Sequence, residues 1–475
     1  MISKVLIANR AEAAVRVIRT CRDMGIRTVA IYSDVDADSL HVRLADEAYN
    51  VGAPSPSQSY LNMQKILEVA ERSGAEAIHP SYGFLAENPD FAEMCEERGI
   101  IFIGPSSGCM YRARPKHKAR QLMKMVHVPV VPGSEEAIEG VDSAALSRAQ
   151  EVADSIGYPV VVKPTGTGGG IGMMVAENRE QLIGAAKYAV ERGKSAFGVS
   201  GYYVEKLLQN IKHVEFQVLA DTKGNVVHLG ERECSIQRRF QKMVEESPCS
   251  VLTPFLRMKM AVAAIDIARM LRYVNALTVE FLYYPDTQEF YFNEINCRLQ
   301  IEHPLTESVT GIDVVREQII IASGNEISCS QDDIRIRGHA VECRITAEDP
   351  LCNFIPSPGI LTRLRLPHGL GIRVDEGVYE GYEVPFDYDS LLFKIVASGR
   401  TRGEALERMR RALDETVVEG IKTIIPFQRA VIGDEEFING SYTTNFLKGR
   451  KVIKLEPNGL RLLAPRHCQE RVPKD

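Results

Sequence analysis

The chain has 475 residues, 45% hydrophobic and 25% charged, and its 57 basic and 63 acidic side chains give a net charge of −6. That length suits two or three domains, each with its own core, and the charge balance argues against a general nucleic-acid or anionic-membrane surface. Ten cysteines without a Cys-x-x-Cys pair indicate neither a zinc site nor a disulfide framework, which fits a reducing cytoplasm, and no apolar run approaches a membrane span.

Residues 4–104 alternate strand and helix, with strands at Val5–Ala8, Thr28–Tyr32, Ala77–His79 and Ile100–Gly104 and helices near Glu12–Met24, Tyr60–Arg72 and Phe91–Arg98. Such alternation predicts a doubly wound parallel sheet. The first turn, Ala8-Asn-Arg-Ala-Glu12, lacks the Gly-x-Gly-x-x-Gly of a dinucleotide fold. His79-Pro-Ser-Tyr-Gly-Phe-Leu-Ala-Glu-Asn88 falls at the C-terminal end of a strand, where open α/β sheets bind ligands, although it also reads as a structural loop.

Val160–Lys163 reads as a buried strand, followed by Pro164-Thr-Gly-Thr-Gly-Gly-Gly-Ile-Gly172. Consecutive glycines let backbone N–H groups face a polyphosphate, with Lys163 as a point charge, or they form a hinge. Glu231 to Glu246 is a dense charge run. It reads as a solvated face or as a basic strip in which Arg238, Arg239 and Lys242 meet phosphates or an anionic substrate.

Val279–Tyr284 and Glu289–Glu294 flank Pro285-Asp-Thr-Gln288, a hairpin pattern. If it is symmetric about Thr287, Glu280 and Glu294 stand opposite each other, an arrangement that is destabilising unless a cation intervenes. A magnesium ion bridging them to a nucleotide phosphate, with Asn296 as a further oxygen ligand, explains the pair; an edge strand with a solvated polar face is the plainer alternative. At a two-residue period Glu294, Asn296, Arg298, Gln300 and Glu302 share one face.

From about Arg335, strand-like alternation, including Gly338–Ile345, a helix over Arg402–Leu413 and a strand near Gly420–Ile425 predict a third, α+β domain. Residues from about Lys451, with Pro457, Pro465 and Pro473, are expected to form a loose tail.

The order of motifs closely resembles the biotin carboxylase family, from about residue 2 to 447. The motifs are Ala-Asn-Arg-x-Glu, His-Pro-x-Tyr-Gly-Phe-Leu-x-Glu-Asn, Phe-Ile-Gly-Pro-Ser-Ser, the glycine-rich loop, Glu-Arg-x-Cys-Ser-x-Gln-Arg-Arg, Glu-x-Asn-x-Arg-x-Gln-x-Glu-His and Gly-His-Ala-x-Glu-Cys-Arg-Ile. The resemblance implies an α/β and α+β architecture: an N-terminal doubly wound domain (1–115), a central ATP-grasp domain (116–330) with a mobile glycine-rich lid (about 135–204), a C-terminal α+β domain (331–447) and a tail (448–475).

It also implies a cytoplasmic ATP-dependent ligase in which ATP and bicarbonate form carboxyphosphate, which carboxylates biotin on a separate carrier protein. Lys116, Lys163, Glu205, Lys206, Leu208, His213 and Gln237 would contact ATP, with Gly168, Gly169 and Gly170 closing as a lid. Glu280, Glu294 and Asn296 would hold magnesium or manganese. Lys242, Arg298, Gln300 and the Ile301 amide would bind bicarbonate, Glu302 would be the general base, and Arg344 would stabilise the biotin enolate. A carboxylate held near Arg298 would stay ionised. Implied partners are the carrier, a carboxyltransferase and a second copy of the chain.

Several positions depart from the family pattern: Arg114-Pro115, Thr167, Ile171, Phe240, Ala11, Ala13 and Phe393. Competing readings are another ATP-grasp carboxylate ligase and an inactive, nucleotide-binding paralogue. Met123-Lys-Met125 and Met258-Lys-Met260 echo the biotinylation tripeptide but lie in helix-like sequence.

Overall fold

The computed structural model describes residues 1–113, 123, 125–165, 172–455 and 459–463. Its first unit is β1 (Lys4–Ile7), α1 (Ala11–Asp23), β2 (Arg27–Ser33), α2 (Leu40–Leu44), β3 (Glu47–Gly52), α3 (Met63–Ser73), β4 (Ala77–His79), α4 (Pro89–Glu97) and β5 (Ile101–Phe102). The strands form one sheet, order β3-β2-β1-β4-β5, with every described pairing parallel. Sequence periodicity places most of these elements within one to three residues but misses α2 and β3, which are too short to show a clear helical or strand period. Local chemistry sets the helix ends: Asn62 and Asn88 accept backbone N–H bonds as N-caps, and Gly74 ends α3 at φ +66°.

A smaller unit follows: β6 (Ile138–Glu139), α5 (Ser143–Ile156), β7 (Val160–Pro164), β8 (Met174–Ala176), α6 (Arg179–Phe197) and β9 (Gly201–Lys206). Its strands run β6-β9-β7-β8, and alanines of α5 and α6 pack with Val160, Val162 and Val204 in a separate core.

The largest sheet combines β10 (Lys212–Ala220), β11 (Val226–Arg238), β12 (Gln241–Ser247), β13 (Asn275–Tyr284) and β14 (Glu289–Asn296) with β15 (His339–Thr346), β16 (Ile372–Glu376) and β17 (Leu391–Gly399). Its order is β14-β13-β10-β11-β12-β15-β17-β16. The C-terminal strands therefore extend the central sheet through β12 and β15. Helices α7 (Pro254–Leu271), α8 (His303–Thr310), α9 (Val314–Ala322), α10 (Arg402–Glu415) and α11 (Ile425–Ile432) complete this part. Met258–Met260 lies within α7.

Two C-terminal expectations fail. Instead of a strand over 420–425, the chain pairs Val417–Glu419 with Arg363–Arg365 and enters α11 with Pro426 in its first turn. The tail contains an antiparallel hairpin, Lys451–Leu455 with Gly459–Leu463, whose alternating residues were outweighed by the surrounding prolines and polar residues. No helix among the described residues is long and apolar enough to cross a membrane.

Candidate active site

Four neighbouring strands put charged residues in register. Glu215 on β10 stands opposite Arg232 on β11 and opposite Glu280 on β13, and Glu280 faces Glu294 on β14. The hairpin is not symmetric about Thr287: Tyr284 pairs with Glu289 and Phe281 with Phe292, and the extra residue Asn293 restores the Glu280–Glu294 opposition. The Asn293 amide also donates to Glu280 at 3.3 Å.

Lys242 supplies the cation this acidic row requires. Its ammonium lies 2.5 Å from Glu215, 2.9 Å from Glu280 and 2.7 Å from Glu302. Removing several carboxylates from water is costly, and a central ammonium recovers much of that cost by direct attraction. Arg232, fully buried, bonds the other oxygen of Glu215 at 2.6 Å. Burial and Glu215 push the Glu302 pKa up, but Lys242, Arg344 and Arg232 outweigh them and hold it below its usual value. Glu302 is thus an ionised carboxylate with essentially no solvent exposure.

The polar row after β14 is shorter than expected. The strand ends at Asn296, and Glu302 becomes the first flanking residue of α8 at φ −80° and ψ 10°, because the chain turns to admit Pro304. Nor is Arg298 the cation bonded to Glu302. It pairs with Glu87 at 3.1 Å and donates to Asn296 and Gln300, whereas Arg344 donates to Glu302 at 2.9 Å. Glu87 also accepts the Cys297 N–H at 3.0 Å, so the His79–Asn88 loop supports this segment directly. Beside Glu302, Gln300 Nε2 and Arg344 Nε are buried N–H donors without a hydrogen-bond partner among the described residues. Unpartnered buried donors are costly unless an acceptor arrives.

On the other side of the row, Lys163 and Glu205 form an ion pair at 2.5 Å across β7 and β9. His213 lies 3.1 Å from Glu280, and its other ring nitrogen meets the Gln237 amide at 3.0 Å. Burial alone would lower the His213 pKa, but the Glu280 carboxylate raises it to about 9. The Lys206 ammonium turns away and donates to the Gly157 and Tyr158 carbonyls, and Leu208 lies in the connection from β9 to β10. Lys116, Gly168, Gly169 and Gly170 lie outside the described residues, as do Thr167, Ile171, Arg114 and Pro115.

The charge run 231–246 is not a solvated face, since Glu231, Arg232, Glu233, Glu245 and Glu246 are all fully buried. Nor does it form one basic strip. Of the three cations expected to form it, Lys242 enters the acidic row, Arg238 stacks over Phe354 and donates to Asn353, and Arg239, with Phe240, makes the exposed turn between β11 and β12.

The paired carboxylates suit a hard divalent cation, which favours oxygen ligands. Asn296 turns its NH2 toward Glu280 at 2.9 Å and its oxygen toward Arg298, so serving as an oxygen ligand requires its amide to rotate. His213, Glu215 and Glu280 also bring ligating atoms within 4.8 Å of one another, but Lys242 already bonds both carboxylates of that group. Sequence reasoning missed Glu215 and Arg232 because only long-range strand register reveals them, and it left Glu87 inside a motif without a role.

Three family models match in succession: the biotin carboxylase N-terminal domain over residues 1–110, the carbamoyl-phosphate synthase L chain ATP-binding domain over 115–330, and the biotin carboxylase C-terminal domain over 342–449. A pyruvate carboxylase subunit of Methanothermobacter thermautotrophicus is 51% identical over 447 residues, covering 94% of this chain and 90% of the relative. Biotin carboxylase 1 of Bacillus subtilis is 50% identical over 453 residues, covering 95% of this chain and 100% of the relative. A Campylobacter jejuni biotin carboxylase complexed with β,γ-ATP superposes with a TM-score of 0.91 at 43% identity, covering 94% of this chain and 98% of that one. The biotin carboxylase domain dimer of Hydrogenobacter thermophilus 2-oxoglutarate carboxylase, bound to MgADP, ADP and bicarbonate, gives 0.90 at 44% identity, covering 94% and 97%. The chain belongs to the biotin carboxylase family of ATP-dependent ligases.

Proposed function

We propose that this chain activates bicarbonate with ATP and transfers the carboxyl group to a biotin ureido nitrogen on a separate carrier protein. The observation that carries this reading is Glu302, a buried carboxylate kept ionised between Lys242 at 2.7 Å and Arg344 at 2.9 Å. Glu302 takes the bicarbonate proton, and the resulting oxyanion attacks the terminal phosphorus of ATP as ADP leaves. Lys242 and Arg298 offset the negative charge that gathers there. The free Gln300 Nε2 and Arg344 Nε donors, with the Ile301 amide, suit a small planar oxyanion. Arg344 then serves the biotin enolate.

Glu280 and Glu294, joined by Asn296 once its amide rotates, would hold magnesium, which supplies charge neutralisation for the phosphates. Lys163, Glu205, His213 and Gln237 line the nucleotide side, and Lys206 and Leu208 contact ATP beside them. By the family resemblance, Lys116 and Gly168 to Gly170 would also contact ATP. The division at 1–115, 116–330 and 331–447, with residues 135–204 closing as a lid, follows the same reading. A carrier, a carboxyltransferase and a second copy of this chain are the partners.

The test is ATP hydrolysis with magnesium and free biotin, with and without bicarbonate, for wild type and Glu302→Gln. Bicarbonate-stimulated turnover that falls by about 10²- to 10⁴-fold in the variant supports the reading. Stimulation that survives the substitution removes Glu302 as the base.

A further inference from the structure

The Ala8–Glu12 and His79–Asn88 motifs meet at a buried lysine that the proposed chemistry does not employ. Lys394, on β17, is fully buried and donates to the Ile301 carbonyl at 2.9 Å. The same ammonium lies 2.9 Å from Glu12, at the start of α1, and 3.8 Å from Asp375 on β16. The other Glu12 oxygen accepts a hydrogen bond from Tyr82 of the 79–88 loop.

Lys394 stands directly opposite Arg344 in the β15–β17 ladder. The two cations hold adjacent parts of one dipeptide: Arg344 holds the Glu302 side chain, and Lys394 holds the Ile301 carbonyl, which belongs to the Glu302 peptide. Glu302 makes no side-chain capping bond at the head of α8; its own carbonyl accepts the Leu305 N–H at 3.2 Å, and the Lys394 bond to the Ile301 carbonyl holds the other side of its backbone. A buried ammonium needs a carboxylate, and Glu12 supplies it.

We infer that Lys394, anchored by Glu12 and Tyr82, is a positioning residue that sets the backbone of Glu302 for proton removal from the bicarbonate substrate. The inference rests on the proposed role of Glu302. It gives the Ala-Asn-Arg-x-Glu motif a function in the first domain: its carboxylate holds the lysine that holds the base. A displacement of about 1 Å at a reacting group costs on the order of a hundredfold in rate.

The test compares the full chain with Lys394→Met, with Lys394→Met/Glu12→Gln, which also removes the carboxylate that Lys394 pairs with if the single variant misfolds, and with Glu302→Gln alone and combined with each. ADP affinity and thermal midpoint are measured beside bicarbonate-dependent ATP hydrolysis. Positioning predicts a drop of about ten- to a hundredfold in kcat/KM for bicarbonate, with ADP affinity within about twofold of wild type, and almost no further loss when Glu302 is already Gln. Turnover and bicarbonate KM within twofold of wild type in the folded Lys394 variants, while Glu302→Gln still collapses activity, overturns the positioning role and leaves the base in place. Losses that multiply with Glu302→Gln, or that track ADP affinity and thermal midpoint, show a structural lysine and also overturn it. Unimpaired Glu302→Gln removes the base itself.

Discussion

Glu215 and Glu280 stand directly opposite each other on β10 and β13, and one ammonium, that of Lys242, bonds both at 2.5 and 2.9 Å. Lys242 therefore neutralises an acidic row to which a metal is also expected to bind. Lys242→Met leaves Glu215, Glu280 and Glu302 short of a cation, and removing one partner of a buried ion pair typically costs about 3–5 kcal/mol. The variant is expected to unfold at a lower temperature than wild type. Magnesium should then raise its thermal midpoint more than it raises that of wild type, because the metal replaces missing charge. Equal magnesium increments in the two proteins would show that Lys242 and the metal do not share this role.

Ala11 is at φ +49°, where an L side chain is strained and glycine is not. Left-handed backbone costs an alanine about 1–2 kcal/mol, and glycine loses about 0.5–1 kcal/mol in unfolded-state entropy, so Ala11→Gly should stabilise by up to about 1.5 kcal/mol. The neighbouring chain is less tolerant. A Cβ on Gly377 would sit 2.3 Å from the Glu12 nitrogen, and Gly377→Ala should destabilise by about 1–3 kcal/mol. Urea midpoints of the two variants, moving in opposite directions from wild type, are the check.

How much of this was legible in sequence depends on the range over which each relationship acts. The Glu280–Glu294 opposition came from spacing within one hairpin, and even there the bulge at Asn293 was invisible although the pair was correct. The polar row beyond Asn296 alternates as a strand does, yet the chain turns into α8 because Pro304 starts a helix. Partners on distant strands, such as Glu215 for Lys242 or Glu87 for Arg298, leave no local periodicity. Motif resemblance therefore located the site without giving its internal pairings.

His41 is fully buried, its Nδ1 meeting the Ala11 N–H at 3.3 Å and its Nε2 facing the Ile31 carbonyl at 3.2 Å. Burial lowers its pKa to about 4, against the help of Asp36 and with the opposition of Arg10. The unfolded chain binds a proton at His41 below about pH 6.5 and the folded chain only below about 4, so this residue's stabilisation is full above 6.5 and declines as pH falls toward 4. The total is at most about 3 kcal/mol. His41→Asn should flatten the dependence of the urea midpoint on pH by about one proton across that window. His79, lowered to about 3 by burial, keeps its own slope in the variant.

Behind Arg344, Glu245 and Glu342 form a directly opposed pair on β12 and β15, both fully buried. Arg344 lies 2.6 Å from Glu245 but also holds Glu302, and neither Glu342 oxygen accepts a hydrogen bond from a described residue. Burial first raises the pKa of both carboxyl groups; repulsion from Glu302 adds to it at Glu245 and repulsion from Glu245 at Glu342, while Arg344 and Lys242 offset the rise only partly at Glu245 and Lys394 and Arg344 only partly at Glu342. The folded chain therefore keeps protons here that the unfolded chain releases above about pH 4.5, and stability falls as pH climbs past that value. Glu342→Gln keeps the shape, removes one acidic group and lets the amide donate to Glu245. The variant should match wild type near pH 5 and exceed it by a margin that widens toward pH 8. Parallel stability curves across that range, measured by urea unfolding, would show that the opposed carboxyl groups do not retain a proton in the folded chain.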